Sequence, residues 1–423
     1  MAALAGVGDV TIRELSAADD LDALLDLSCR AFGPVGPADR ERWQADSEAA
    51  IGGRQFLAAF DGSRLVAAAR YDDMAQWWHG RCMPMAGVAS VMVAPEDRGR
   101  GAGGALMTAL LGLIAERGYP VSVLYPATMA IYRSLGWEIA GVQDTVAIPA
   151  RSLRSLVPPD PGLGSPEPAG VGPGSVGPGG VAAELRRCGP EDAGQVLAAI
   201  GAAHQALRDS GPNTRDEATV RRWLGDESRF AYLAPDGFLA YRWLNGSDEI
   251  LVERAVAGSA ATTRALWAIV ASHSSMASTV RGYLGPADPV GWLTREPDVA
   301  LARRRTWMLR LVDAAGAVAG RGFPPAAEVR AELRLTDGAC PRNDGTWTLE
   351  VSGGKGELAR EPRPGAATRA APLAAGARGF AALFAGTPVA TLRRAGLVSG
   401  GDPGNDAALD GAFAATAFLL DYF

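Results

Sequence analysis

The sequence predicts an α+β protein of three units. In the first two, strands and helices alternate around mixed sheets; the smaller third carries paired strands and several helices. Three observations carry this reading. Over residues 1–157 the hydrophobic period switches repeatedly between that of a strand and that of a helix. The stretch Pro158–Gly180 holds 15 Pro or Gly in 23 residues, which allows neither a helix nor a core, so it reads as a linker or long exposed loop. The order of elements in the first block then returns over 181–304 with little identity of residues, while 305–423 follows another pattern. A chain of 423 residues is long enough for such a division.

Each element has a local reason. Val10–Leu15 reads as a strand. Ala18–Phe32 places Leu21, Leu24, Leu25, Leu27 and Cys29 at helical spacing behind Asp19 and Asp20, whose carboxylates suit a helix N-terminus. Gln55–Phe60 and Leu65–Tyr71 flank the turn Asp61-Gly62-Ser63 as a hairpin. Met85–Val93 is a strand, Gly101–Arg117 a helix closed by Gly118, and Val121–Tyr125 a strand. Thr128–Leu135 is a short helix closed by Gly136, and Glu138–Ile148 the last strand of the block. The second block repeats the rhythm: strand Ala183–Arg187, helix Pro190–Arg208, hairpin Phe230–Leu244, strand Glu249–Val256, helix Thr262–Ser274. In the third, Trp307–Asp313 leads into an Ala-rich helix ending near Gly322, and Arg330–Thr336 and Thr346–Ser352 form paired strands. Ala374–Phe384 and Thr387–Ala395 read as helices, and the apolar run Ala412–Leu420 precedes Asp421-Tyr422-Phe423.

Composition removes several function classes. A net charge of -6 argues against a general nucleic-acid binder. Of 41 basic residues all but Lys355 are Arg, a bias of a GC-rich genome rather than of function. Cys29, Cys82, Cys188 and Cys340 lie far apart without a Cys-x-x-Cys, which excludes zinc ribbons and redox dithiols and suits a reduced cytoplasm. His79, His204 and His273 are scattered without metal-ligand spacing, so no metal is expected. Met1–Asp9 has no basic n-region, and the longest apolar stretch, Ala102–Ala115, is too short to span a bilayer. A cytoplasmic protein that does not enter the membrane is the expectation.

The stretch that carries chemistry is Val91-Met92-Val93-Ala94-Pro95-Glu96-Asp97-Arg98-Gly99-Arg100-Gly101-Ala102-Gly103-Gly104. Strand, Gly/Arg turn and helix follow one another, so main-chain N–H groups converge at a helix N-terminus whose dipole favours an anion. Glycines permit close approach of a diphosphate, and Arg98 and Arg100 can add charge-assisted contacts. A Walker loop is absent, since no Gly-Lys-Ser/Thr occurs, and a dinucleotide fingerprint would follow the first strand, not the fourth. From the glycines alone, a plain turn with solvated arginines is an equal reading.

The surroundings favour the cradle. Arg98, Gly101 and Gly103 form Arg-x-x-Gly-x-Gly after Val-x-Val-Ala-Pro, and Tyr132-Arg133-Ser134-Leu135-Gly136-Trp137 follows about 30 residues on. The pair resembles the acyl-CoA signature and the Tyr-x-x-x-Gly-Phe element of the GCN5-related N-acetyltransferase (GNAT) superfamily. Over the whole chain the resemblance is to the Eis (enhanced intracellular survival) family. It is carried by Met85-Ala86-Gly87, Gly118-Tyr119-Pro120-Val121, Trp307–Asp313, the Gly-rich strand region Leu349–Gly354 and the final aromatic Phe423. It implies tandem GNAT domains, 1–157 catalytic and 181–304 degenerate, followed by a sterol-carrier-protein-like α+β domain over 305–423. The stretch equivalent to the cradle in the second copy, Ala255-Val256-Ala257-Gly258-Ser259-Ala260, lacks the glycines and arginines and is expected to bind no CoA.

The resemblance further implies acetyl-CoA as co-substrate. The edge of Val91, Met92 and Val93 would pair with the pantetheine amides. The turn Gly99, Arg100, Gly101, Ala102, Gly103 and Gly104 would hold the pyrophosphate, and Ala127 and Thr128 would line the cofactor. Amine acetylation needs a base for the ammonium proton and an acid for the leaving sulfur. By resemblance the acid is Tyr132 and the base the main-chain carboxylate of Phe423; a packing aromatic and a frayed terminus are the competing readings. Phe32, Trp43 and Tyr125 are acceptor-pocket candidates that also suit a core, and Asp26 and Asp421 are candidate attractors of a cationic amine, Asp26 suiting a solvated helix face as well. The implied partner is a primary amine, of aminoglycoside, polyamine or protein-lysine type, and the implied assembly a homohexamer. The competing function is a non-enzymatic lipid or hydrophobic-ligand binder working through the third domain.

Overall fold

The computed structural model describes residues 5–7, 10–156, 184–244, 246, 248–295, 298–360 and 371–423; the Pro/Gly-rich 158–180 lies outside the described residues. One sheet runs through both halves of the molecule. In the first half its order is Val10–Glu14, Phe56–Asp61, Arg64–Trp78, Arg81–Val93 and Val121–Leu124. Alternation sorts the side chains to two faces. Leu57 and Ala59 meet the helix Ala102–Glu116 on one face. Phe56 and Ala58 meet the helix Leu21–Phe32 and the end of the helix Pro37–Gly52 on the other. Asp20 caps Leu21–Phe32 by accepting from the N–H groups of Asp22 (2.8 Å) and Ala23 (3.2 Å), while Asp19 pairs with Arg13. The helix Pro37–Gly52 has no counterpart in the sequence reading, because charge is spread around it and its apolar residues keep no helical rhythm.

The junction between the halves is an exchange of strands. After Val121–Leu124 comes Ala300–Leu311, then Glu138–Pro149, then Thr279–Leu284 and the remaining strands of the second half. Met308, Leu309, Arg310 and Leu311 pair antiparallel with Leu124, Val123, Ser122 and Val121. The opposite edge of Ala300–Leu311 pairs with Glu138–Ala147, and Asp144–Pro149 goes on to pair with Thr279–Leu284. The cut drawn from sequence at 304/305 therefore falls inside a continuous strand. Arg303-Arg304-Arg305 disguised it, since a run of cations does not read as a strand; Arg304 is matched by Asp144 (2.7 Å) and Arg305 by Gln143 (3.1 Å) on the partner strand.

The third unit has its own five-stranded sheet, in which Val329–Thr336 pairs antiparallel with Gly345–Ser352 and parallel with Leu373–Gly376. The reading of Ala374–Phe384 as wholly helical is corrected here: Leu373–Gly376 is a strand and the helix is Ala377–Phe384. Alanine favours a helix, but a ladder partner at Leu333–Thr336 overrides that propensity. The core of this unit is continuous with that of the first half, since Val121, Val123, Trp307 and Leu309 share one cluster with Leu333, Leu349 and Phe384. Arg321 sits fully buried at this junction, ringed by Trp78, Phe323, Phe384 and Phe413 and donating to the carbonyls of Phe384 and Phe413. Burial pushes its guanidinium down to about 9.

The exchange has a consequence for truncation. A fragment ending at Leu156 keeps Glu138–Pro149 but loses both its ladder partners, which leaves two long open edges. Such a fragment should be aggregated or non-cooperative in a thermal melt; a monodisperse fragment with a cooperative transition would show that the exchanged strand is dispensable.

Candidate active site

The cleft is set by two strands that start as neighbours and part. Met85–Val88 pairs parallel with Val121–Leu124. Beyond Leu124 the second strand meets Pro126, which has no N–H to continue a ladder. The first strand carries a bulge, for the register against Arg64–Trp78 slips between Met92 and Ala89, and Ser90 takes a left-handed φ of 51°. Val91–Val93 thus keeps one edge toward the gap. Val91 and Val93 are half-buried, and the Met92 side chain packs to the far face beside Ala94 and Leu24.

The turn after this strand ends in an open helix start. Gly99 and Gly101 have φ of 78° and 88°, and no side chain caps the helix Ala102–Glu116. The first-turn N–H groups of Ala102, Gly103 and Gly104 therefore have no intrahelical acceptor. A Cβ at Gly99, Gly101 or Gly104 would meet nothing within 4 Å, whereas one at Gly103 would lie 3.1 Å from Val93 and 3.6 Å from Ile131. The acids of the turn are occupied: Asp97 accepts from Arg64 at 2.6 and 3.1 Å, and Glu96 from Arg30 at 2.8 Å. Arg98 makes no ion pair among the described residues, and Arg100 touches only Asp97, at 3.3 Å. The result is an open, glycine-lined turn of uncapped N–H groups beside two exposed guanidinium groups, which suits a diphosphate.

The corresponding place in the second half is shut. There the helix Ala260–Ser272 is capped by Ser259, whose hydroxyl accepts from Thr262 N–H at 3.2 Å. The carboxylate of Asp236 bonds the Thr262 hydroxyl, and the Asp236 carbonyl accepts from Gly258 at 2.7 Å. A carboxylate stands where an anion would have to bind.

Ala127 and Thr128 are exposed in the turn between Val121–Leu124 and the short helix Ala130–Ser134. Tyr132 lies on that helix, one residue beyond Ile131, which borders the cradle at Gly103. It is 6% exposed, its ring set edge-on to Trp137 at 6.4 Å, and among the described residues its hydroxyl has no hydrogen-bond partner. Burial raises its pKa, so the proton stays on across the neutral range.

Residues 417–423 run between the two halves. Ala417 and Leu419 bracket Val142 with bonds of 3.3 and 2.9 Å, and Phe418 N–H donates to Ser210 at 3.1 Å. A Cβ at Gly141 or Gly211 would overlap the carbonyls of Ala417 or Phe418, so those glycines are what let the tail pass. The Tyr125 hydroxyl donates to the Asp421 carbonyl at 2.7 Å. The Phe423 ring stands edge-on to Tyr125 at 5.5 Å and reaches Gly87 of the splayed strand, where a Cβ would lie 2.9 Å from it. Arg215, from the second half, lies over the same ring at 6.0 Å and pairs with Asp72.

The structure thus joins Gly99–Gly104, Val91–Val93 and the Tyr132 helix around one gap, with Tyr125 and Phe423 at the base of the splay. It separates others. Asp26 is paired with Arg30 (2.8 Å) on an exposed helix face, whereas Asp421 stays at the base of the splay, its carbonyl on the Tyr125 hydroxyl and its carboxylate paired with Arg254. Phe32 is 60% exposed at its helix end, and Trp43 packs partly into the cluster around Leu24 and Phe56. Sequence reasoning missed Arg215, Gly87 and Met74, whose side chain would lie 2.8 Å from a Cβ at Gly87; only Gly87 carried a signal, since a glycine inside a strand marks a close approach.

Residues 11–140 and 211–311 each match a family described as an acetyltransferase (GNAT) domain, and residues 314–419 one described as a sterol carrier protein domain. The crystal structure of a GCN5-related N-acetyltransferase from Kribbella flavida is 42% identical and superimposes with a TM-score of 0.87 over 98% of each chain. N-acetyltransferase Eis of Mycobacterium tuberculosis is 28% identical over 352 residues, 80% of this chain and 81% of that protein. The structure of Eis1 from Mycobacterium abscessus shares the fold, with a TM-score of 0.72 over 97% of this chain and 100% of that one, at 24% identity. The open cradle in the first half, the capped copy in the second and these likenesses agree: the chain is an acetyltransferase that belongs to the GCN5-related N-acetyltransferases, with Eis proteins among its relatives.

Proposed function

We propose that the chain moves the acetyl group of acetyl-CoA directly to a primary amine, on an aminoglycoside, a polyamine or a lysine. The observation that carries this reading is the uncapped, glycine-lined helix start beside a splayed strand edge, present in the first half and closed by Ser259 and Asp236 in the second. A lipid carrier acting through the third unit would leave that cradle without a use. A hexamer working in the cytoplasm belongs to the same reading, and its support is the family resemblance.

Bound acetyl-CoA supplies an activated thioester carbonyl. The N–H groups of Ala102–Gly104, with Arg98 and Arg100, hold its diphosphate, and the edge of Val91–Val93 aligns the pantetheine arm along the gap. The main-chain carboxylate of Phe423 takes the ammonium proton, and the lone pair so freed forms the C–N bond as the C–S bond breaks. The Tyr132 hydroxyl gives its proton to the sulfur, and the second proton lost by the nitrogen passes through solvent to restore that hydroxyl. An unperturbed terminal carboxylate has a pKa near ~3.5, so its use as a base rests on the family resemblance, with the Phe423 ring seated beside Gly87 and Tyr125 as support. Thiol release measured over a panel of amines tests the reaction and names the acceptor class; silence with every amine would overturn the reading.

Gly104→Asp sets a carboxylate at the cradle without backbone strain, since φ is ordinary there and the space is open. Calorimetry should show acetyl-CoA affinity reduced by about a hundredfold or more, because like charges at a contact cost several kcal/mol. Unchanged affinity in a folded variant would remove the diphosphate assignment.

Tyr132→Phe removes only a hydroxyl. It should keep acetyl-CoA affinity and lose about 10²–10⁴-fold in kcat. The acid works while protonated, and burial raises its pKa, so the alkaline fall of kcat should lie above the ordinary tyrosine range in the native enzyme and disappear in the variant.

A C-terminal tag turns the Phe423 carboxylate into an amide while leaving the cradle alone. It should abolish turnover with acetyl-CoA binding intact, and Phe423→Ala should lie between, its carboxylate present but poorly seated. Full turnover of the tagged enzyme would exclude the terminal carboxylate as base.

A further inference from the structure

The helix that presents Tyr132 is five residues long, Ala130–Ser134, and has no side-chain cap. A helix that short has no stability of its own in water, so its orientation must come from what it touches. Its C-terminal side shows the hold. Arg133, next to Tyr132, donates to one oxygen of Glu138, from Nε at 3.1 Å and Nη2 at 2.8 Å. The same oxygen accepts from Ile139 N–H at 2.9 Å. The other oxygen is taken by Arg378, from Nε at 2.7 Å and Nη2 at 2.6 Å.

Arg378 belongs to the third unit, in the helix Ala377–Phe384. The backbone meets there as well. Gly136, between the Tyr132 helix and Glu138, has a φ of 92°, and a Cβ on it would lie 2.8 Å from the Ala377 Cβ and 2.9 Å from the Arg310 guanidinium. Glu138 is 4% exposed, so its bonds are made out of water and hold their geometry. Burial alone would raise its pKa, but Ile139 N–H and the two guanidinium groups outweigh that and hold it below the usual carboxylate range. One guanidinium would balance the charge of Glu138. The second adds a mechanical tie, from a different unit of the chain to the turn that ends the Tyr132 helix.

We propose that Arg378 is a positioning residue for proton donation: through Glu138 and Arg133 it fixes the helix that carries Tyr132, which gives the sterol-carrier-like unit a part in the transfer step. The inference rests on Tyr132 as the general acid.

The test is a double-mutant cycle in the full chain. Arg378→Gln is made in the native and Tyr132→Phe backgrounds, with Arg378→Lys beside it. Acetyl-CoA affinity is read by calorimetry, and kcat and KM by thiol release with the amine that turns over fastest in the panel. Arg378→Gln should keep acetyl-CoA affinity and lower kcat about ten- to a hundredfold, the scale of a catalytic group held slightly out of place. Arg378→Lys, which keeps the charge, should recover part of it. In the Tyr132→Phe background Arg378→Gln should cost nothing further, because the hydroxyl it serves is gone. An equal loss in both backgrounds, or an unchanged kcat in the native one, would overturn the inference. Full turnover of Tyr132→Phe alone would overturn the acid assignment and this inference with it, and it is recognised without any change at Arg378. The Arg378 side chain is partly exposed, so the substitution should fold; should Arg378→Gln fail to, Arg378→Lys carries the same comparison.

Discussion

The backbone ladder of Ala300–Leu311 is the constraint on which the rest depends. This strand lies between Val121–Leu124 and Glu138–Pro149, and those two strands bracket the turn and short helix that carry Ala127, Thr128 and Tyr132. Without it, Val123 and Glu138 would have no shared neighbour; with it, both register on Leu309. The splay of the cleft is then fixed on each side. A bulge at Ser90 turns one wall away and Pro126 stops the other. The exchange also makes the two halves a single mechanical body, so that a loop of the second half can supply Arg215 to a site built on the first.

The halves have divided the labour through small changes at one place. Each has a strand, a turn and a helix in the same order. In the first the helix begins on a left-handed glycine with its N–H groups bare; in the second Ser259 accepts the Thr262 N–H and Asp236 holds the Thr262 hydroxyl. A bare helix start is a standing cost in stability that a bound anion offsets, whereas a capped one gains about 1 kcal/mol from the cap itself. The first arrangement suits binding and the second suits a scaffold.

What the sequence discloses and what it hides divides along local and distant causes. The cradle was legible because its strand, glycines and helix are contiguous, and the short helix because Gly136 closes it. The capped second copy was legible in the loss of glycines, although not in the gain of Asp236. The helix Pro37–Gly52 hid behind charge on every side. Ala300–Arg305 hid because its matching groups, Asp144 and Gln143, lie far back in the chain. Leu373–Gly376 hid because alanine speaks for a helix and the ladder partner speaks later. In the site, Tyr132 could be named from its motif, but the clamp behind it joins Arg133, Glu138 and Arg378, which no spacing rule connects. Asp26 and Asp421 were named for their charge alone, because a sequence shows charge without showing its partners, Arg30 and Arg254.

The path of residues 417–423 has a consequence for how the molecule is made. Their groove is lined by Gly141 and Gly211, and its floor at Gly87 and Met74 belongs to the part of the chain synthesised first. Domains tend to fold in the order in which they leave the ribosome. The first half completes its sheet only when Ala300–Leu311 joins it, so its Gly87 floor and Tyr125 wall stay uncovered until that strand is in place and residues 417–423, made later still, arrive to fill the trench. During that interval the trench is the stretch of surface a nascent-chain binding chaperone would meet, and the aromatic tail is the piece that displaces it.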